Sequence, residues 1–330
     1  MIILADIISA TIIFAIPLLV VALGGMFSER SGTINIALEG IMIVGALFGC
    51  LYLNSVNASG WGKENAQLAM LIAVLIACGS GIVFSLLLAF ASVTLKADQT
   101  IGGTALNLFA PAFAIVLTWA IQGQGQTTIN IPNWIRITQN NFGFAPSASQ
   151  GFFETLVFKS FYLTTPITLL ILALTVFVIY KTRFGLRLRS CGEHPQAADS
   201  VGINVYALRY IGVAISGGLA GIGGLAFTIA AGSGFQSTVA GYGFFALAVM
   251  IFGNWNPMRI FGAALFFALF KVIGSYTGSI PFLPKFTGIK NADYIYQMLP
   301  YIVTMIVLVF TSKKSRAPKA EGIPYDKSKR

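Results

Sequence analysis

Glu39 places a carboxylate inside an apolar run, with Thr33 and Asn35 just before it in the stretch SERSGTINIALEG. A charge held in hydrocarbon costs on the order of several kcal/mol unless it is paired or wetted. Thr104 and Asn107 put further polar groups into LKADQTIGGTALN, and GYGFFALAVMIFGNWNP mixes Gly, Asn and Pro into a third apolar stretch. Gly, Asn and Pro in or beside such a run predict a broken helix, whose freed backbone groups must meet protein or line a cavity. Two uses fit these side chains. One is a helix cap or an interhelical hydrogen bond; the other is a polar lining for a solute path. Both readings stand for Glu39, Thr33 and Asn35.

Chemistry of other kinds is missing from the sequence. No G-x-x-x-x-G-K-[ST] cradle for a nucleotide occurs. Neither H-E-x-x-H nor G-x-S-x-G is present. His194 is the single histidine, with no second one to share a zinc ion. Cys50, Cys78 and Cys191 are odd in number and widely spaced, which suggests neither a disulfide frame nor a metal site. The acids are too scattered for an acid/base pair, so no catalytic residue and no metal ligand is assigned. The glycines of SGGLAGIGG (Ser216 to Gly224) are not a dinucleotide fingerprint, because no strand precedes them. Their spacing, Gly217 with Gly221 and Ala220 with Gly224, lets two helix backbones approach closely.

The elements that must carry these residues are apolar. The chain is 56% hydrophobic and 10% charged, with mean hydropathy +0.80. A soluble domain carries about 25% charged residues, so lipid must be the solvent here. Apolar segments fall at 5–26, 34–53, 67–93, 100–121, 162–180, 208–231, 243–254, 259–277 and 294–311. Most reach the roughly 20 residues that cross a bilayer. The run at 243–254 is short and predicts a half-helix. The expectation is an all-α polytopic membrane bundle of about nine spans (eight to ten), with broken or half-helices in its core. The first run is read as a retained span, since it has no basic leader and no cleavage site.

The net charge of +10 is concentrated in two places. Residues 181–209 hold Lys181, Arg183, Arg187, Arg189 and Arg209 against Glu193 and Asp199, and the tail 312–330 holds seven basic residues against Glu321 and Asp326. Such clusters mark cytoplasmic segments of a membrane protein and no nucleic-acid site. Counting spans from them places the N-terminus outside, the C-terminus inside and the polar loop 122–161 outside. The tail reads as disordered, with contact to anionic lipid as the alternative.

Three stretches carry a resemblance: ERSGTINIALEGIMIVGA (Glu29 to Ala46), KADQTIGGTALNLFA (Lys96 to Ala110) and TRFGLRLRSCGEHPQAADSVGINVYALRY (Thr182 to Tyr210). Over nearly its whole length the chain resembles permease subunits of bacterial ABC importers, in the branch shared by ribose-type, branched-chain amino acid and nucleoside systems. It is most similar to the nucleoside-type permeases. The resemblance implies a permease domain over 1–311 and a basic cytoplasmic tail over 312–330, in a bacterial cell membrane. It implies a second related permease, a cytoplasmic ATPase that holds ATP and Mg, and a lipid-anchored substrate-binding protein, with no cofactor on this chain. A sugar such as ribose, or an amino acid, is the alternative cargo. An ion-coupled secondary carrier is the alternative class, and a non-transporting scaffold or receptor fits the broken polar spans less well.

The resemblance also implies a coupling helix in the loop 181–207. The local sequence agrees: Pro195 suits a first helical turn, and Gly202 suits a stop. Ala197, Ala198 and Val201 are expected to share one small apolar face for docking. Gly192, Glu193, Pro195, Ala197, Ala198, Gly202 and Ile203 are the candidate ATPase contacts, and His194 is a surface residue at the helix start. Arg183, Arg187 and Arg189 are read as anchors to lipid headgroups. The candidate substrate pathway is Thr33, Asn35, Glu39, Thr104 and Asn107, with Phe109, Trp119 and Phe244 as aromatic surface.

Overall fold

The computed structural model describes residues 2–137, 162–275, 298–299, 302–303, 305–306, 309 and 316–327. Eleven α-helices have their bounds within these residues. They are α1 (Ile2–Arg30), α2 (Leu38–Ala58), the single turn α3 (Trp61–Glu64) and α4 (Ala66–Ala89). Then follow α5 (Gln99–Gln122), α6 (Thr164–Lys181), α7 (Arg183–Glu193) and α8 (Pro195–Ser200). The series closes with α9 (Val205–Ala231), α10 (Tyr242–Phe252) and α11 (Pro257–Ser275). Among the described residues no strand forms; an isolated β-bridge joins Ile129 and Phe235. Seven helices are long and apolar enough to cross a membrane, and α10 is a shorter apolar one. The all-α membrane bundle expected from hydropathy is thus present. Of the expected span 294–311 only 298–299, 302–303, 305–306 and 309 are described, and most of the loop 122–161 falls outside the described residues.

Caps written in the sequence set several boundaries. The Asp98 side chain accepts the Thr100 and Ile101 amides at 2.8 and 3.0 Å and starts α5. Asn204 accepts the Ala207 amide at 3.0 Å and starts α9, which ends on Gly232 at φ +68°. Such caps satisfy amides that a helix start leaves without partners. α4 runs on through a π-helical turn, Phe90–Thr94, before the chain reverses.

α9 is the hub. It is mostly buried, packed against α1, α2 and α4, whereas α5 lies at the margin and is mostly exposed. Small residues allow this. A Cβ at Gly221 would overlap the backbone of Ala77 in α4, and one at Gly224 would overlap Met42 in α2. Gly45 meets Gly221 from the α2 side in the same way. The close approach expected from SGGLAGIGG therefore joins α9 to two neighbours at once.

α1, at 29 residues, is about 43 Å long by the α-helical rise. Its C-terminal end meets α7, where Gly192 abuts the Arg30 carbonyl. The chain then turns back into the bundle through 31–37, and Asn35 bonds Ser216 near the middle of α9. The tail does not behave as loose chain. Residues 316–327 lie across the same end as a strap, with Ala320 and Tyr325 buried. The Ala320 amide donates to the Gly192 carbonyl at 2.8 Å. Charge alone could not reveal this, because the anchoring groups are a few apolar residues and backbone amides in an otherwise basic tail.

Candidate functional site

The three interrupted stretches meet where the connection 31–37, α2, α5 and α10 come together. Glu39 stands in the first turn of α2. Its two carboxylate oxygens accept the Gly241 amide at 2.8 Å and the Gly243 amide at 2.6 Å. It thus caps the half-helix α10 from outside, where the helix start carries positive partial charge. A carboxylate in the bundle is tolerated because two backbone donors meet it. Gly243 must be glycine, since a Cβ there would press on the Glu39 backbone.

Asn107 in α5 also has a holding role. Its Oδ1 accepts the Gly40 amide, and its Nδ2 donates to the Ile36 carbonyl, both at 2.8 Å. It pins the non-helical connection to the start of α2. Gln99 adds a third brace, its Oε1 accepting the Ile34 amide at 2.7 Å. Sequence reading missed Gln99; its signal was a buried-type amide at the first turn of a span.

The candidate pathway residues therefore divide. Asn107 and Glu39 hold backbone. Thr104 is exposed on α5 and donates to the Thr100 carbonyl at 2.7 Å, apart from the braced centre. Thr33 and Asn35 are buried, and Thr33 Oγ1 and Asn35 Oδ1 have no hydrogen-bond partner. An unpaired buried acceptor calls for water or a ligand group. Of the aromatics, Phe109 stacks between Phe84 and Phe113 at centroid distances of 6.2 and 5.6 Å. Phe84 and Phe113 line an apolar groove of about 440 Å³ between α2, α4 and α5. Trp119 and Phe244 are exposed.

The charged end carries the second candidate region. α8 begins with Pro195 in its first turn. It ends where the Ile203 amide reaches the Ala198 carbonyl at 3.1 Å and the Gly202 amide reaches the Asp199 carbonyl at 2.9 Å. That double bond pattern needs a left-handed residue after the helix, and Gly202 supplies it at φ +82°. Ala197, Ala198 and Val201 all line one groove, but they are not equally covered. Ala198 and Pro195 point inward, while Ala197 and Val201 point out. A six-residue helix lying flat on the bundle must turn one side in, and hydrophobicity alone does not say which. Gly192 is buried, Glu193 and His194 are exposed, and Ile203 is partly covered. Glu193, His194 and Ile203, together with Leu186 and Arg187, border an open groove of about 450 Å³. Leu186 and Val201 are 62% and 74% exposed, large apolar side chains on a polar end, and such a patch marks a contact surface. Arg183 and Arg187 are exposed, and Arg189 lies 5.5 Å over the Tyr180 ring.

A third cluster had no forecast. At the end of α1 the Glu29 carboxylate accepts the Trp255 indole N–H at 2.5 Å, and Arg30 Nη2 donates to the Trp255 carbonyl at 2.7 Å. The Glu321 carboxyl of the strap faces Glu29 within hydrogen-bonding reach, and burial pushes it up to about 7. No group of three or more metal-ligating side chains forms among the described residues.

The sequence profile described as branched-chain amino acid transport system / permease component matches residues 7–310. The chain is 42% identical to the nucleoside ABC transporter permease protein NupC of Lactococcus lactis, over 98% of this chain and 97% of that one. It is 40% identical to the guanosine ABC transporter permease protein NupQ of Bacillus subtilis, over 99% and 98%. It is 29% identical to the putative glucose ABC transporter permease protein TsgC13 of Haloferax volcanii, over 93% and 91%. No solved structure matches it.

Proposed function

Because the chain belongs to the family of branched-chain amino acid transport system permease components, we propose that it is the membrane permease subunit of an ATP-driven nucleoside importer. The observation that carries this reading is the near full-length similarity to two permeases named for nucleoside and guanosine transport. The chain forms half of a pathway whose other half is a second, related permease. ATP and Mg are held by a separate cytoplasmic ATPase, and a lipid-anchored binding protein delivers the solute outside. The charged end that carries α7, α8 and the strap faces the cytoplasm, which puts the N-terminus outside.

In this reading α8 seats in the ATPase through its outward side, Ala197 and Val201, with Leu186 beside it. Closure of the ATPase on ATP moves α8 and the end of α1 together. The interrupted centre, formed by the connection 31–37 and α10, is the element with two arrangements. A solute is driven only if its affinity differs between them. Thr33 Oγ1, Asn35 Oδ1 and Gln99 Nε2 are polar groups left for it. The Phe84–Phe109–Phe113 series offers aromatic faces, and stacking on such faces is worth about 1–3 kcal/mol per base.

Reconstitution with the partner subunits tests this. ATP-dependent accumulation of a radiolabelled nucleoside, competed by other nucleosides and not by glucose or leucine, is the expected result. Uptake of glucose alone would move the cargo to the sugar named for the Haloferax relative. The secondary-carrier reading is weakened by Glu39, whose oxygens are both committed to the α10 amides. Uptake driven by an ion gradient without ATP would restore it.

A further inference from the structure

The strap 316–327 touches several of the segments that meet at the charged end. Its Ala320 amide is held by Gly192 at the end of α7. Lys327 pairs with Asp199 of α8 at 3.5 Å, and Asp326 with Lys96, before α5, at 3.0 Å. The Arg316 amide donates to Asn254 Oδ1 in the turn after α10 at 3.0 Å. The two ion pairs are partly exposed and hold little. The weight lies on buried contacts. The Tyr325 ring packs on Tyr206 at 5.4 Å and joins Cys191, Ala198, Val205 and Leu208 in one small core.

Arg209 is central to the arrangement. It is 1% exposed, and its Nη1 donates to the Ile323 carbonyl at 2.9 Å. Its other side meets Gly32, where an added Cβ would sit 2.8 Å from Nη2. Gly322 turns the strap at φ +75° and brings it against Ile34, whose Cδ1 would lie 2.8 Å from a Cβ at that glycine. The strap therefore contacts α8 at one end of its length and the connection 31–37 at another. Ala198, on the inner side of α8, shares a core with it.

We propose that the strap is a tie that transmits movement of α8 to the connection 31–37 and so to the interrupted centre. Apart from the strap, α8 packs chiefly against α7 and α9. Through the strap, Gly32 and Ile34 are bound to the same body as the docking helix. The tie deepens the importer reading and rests on it.

The test compares the full chain with one ending at Ser315, each in the assembled transporter. The full chain and the truncated chain are expected to hold the ATPase equally, while solute carried per ATP hydrolysed falls at least tenfold on truncation. An unchanged ratio overturns the tie. A second arm needs no transport. Cys191 is fully buried in the strap core, Cys50 is buried in the bundle, and Cys78 is replaced by alanine. Maleimide is then expected to label Cys191 at least tenfold faster after truncation. A Thr33→Cys probe, placed in a chain that also carries Cys191→Ala, is expected to gain reactivity as well. Unchanged labelling at Thr33→Cys overturns the tie whatever the transporter carries. If the full-length complex transports nothing with ATP, the importer reading fails by its own control, and the labelling arm still decides the contact. Should the truncated chain fail to insert, Tyr325→Ala with Lys327→Ala serves both arms.

Discussion

At the scale of single residues, Glu39 shows how a polar side chain in a span can serve architecture. Its carboxylate bonds the Gly241 and Gly243 amides and so fixes the start of α10. Hydrogen bonds to a charged group are worth about 1.5–3 kcal/mol each. Glu39→Ala should therefore destabilise the bundle by about 2–3 kcal/mol or more, seen as a lower melting temperature in detergent, with Glu39→Gln losing less. A wild-type melting temperature in Glu39→Ala would refute the cap. Glu321 makes a different prediction. Its folded carboxyl is raised to about 7 from an ordinary 4.5, chiefly by burial. A raised acid favours the folded form below the ordinary value and loses that advantage as pH rises toward the raised one. Glu29 of α1 is the ionisable group facing it, while Arg30 and Arg209 donate to the carbonyls of Trp255 and Ile323. Strap docking should accordingly be tightest near pH 4.5 and loosen up to about pH 7. Cys191 labelling, taken at each pH as a ratio to a Glu321→Gln chain, is expected to rise across that window. A flat ratio would count against a protonated Glu321 holding the strap.

At the scale of elements, α8 was legible by its boundaries and not by its orientation. Pro195 and Gly202 mark start and stop because one lacks an amide hydrogen and the other accepts a left-handed turn. The side of a six-residue helix that packs inward depends on what lies beneath it. Here that is the strap core, in which Tyr325, more than a hundred residues away in sequence, joins Cys191, Val205 and Leu208. The consequence is testable. Val201→Glu changes an exposed side chain and should weaken ATPase association roughly tenfold, without lowering the permease melting temperature. Ala198→Leu overfills a buried site and should lower that temperature first, by about 1–3 kcal/mol of stability. If Ala198→Leu leaves stability intact and Val201→Glu leaves association intact, the docking side has been misassigned.

At the scale of the whole molecule, α9 organises the bundle by being thin. Gly221 meets Ala77 and Gly81 of α4 on one side and Gly45 of α2 on the other. Membrane helices gain no hydrophobic drive from burying apolar groups against each other, so close backbone packing carries the association. Gly221→Val should force the helices apart at a cost of about 4 kcal/mol or more and leave little monodisperse protein on size exclusion. Normal yield and normal elution from this variant would show that the crossing is not needed. Spans, caps and the small-residue ridge are written locally, in hydropathy, in side chains that reach nearby amides, and in four-residue spacing. The apolar runs, the half-helix expected at 243–254, the stop at Gly202 and the concentration of charge at 181–209 and 312–330 all follow from the sequence alone. What only the tertiary structure decided is which polar groups remain available. Glu39, Asn107 and Gln99 find partners across the bundle, Thr33 and Asn35 keep unpaired oxygens, and the tail becomes a strap. Each of those outcomes depends on groups far apart in sequence meeting at one point, and no local pattern of charge or hydropathy records such a meeting.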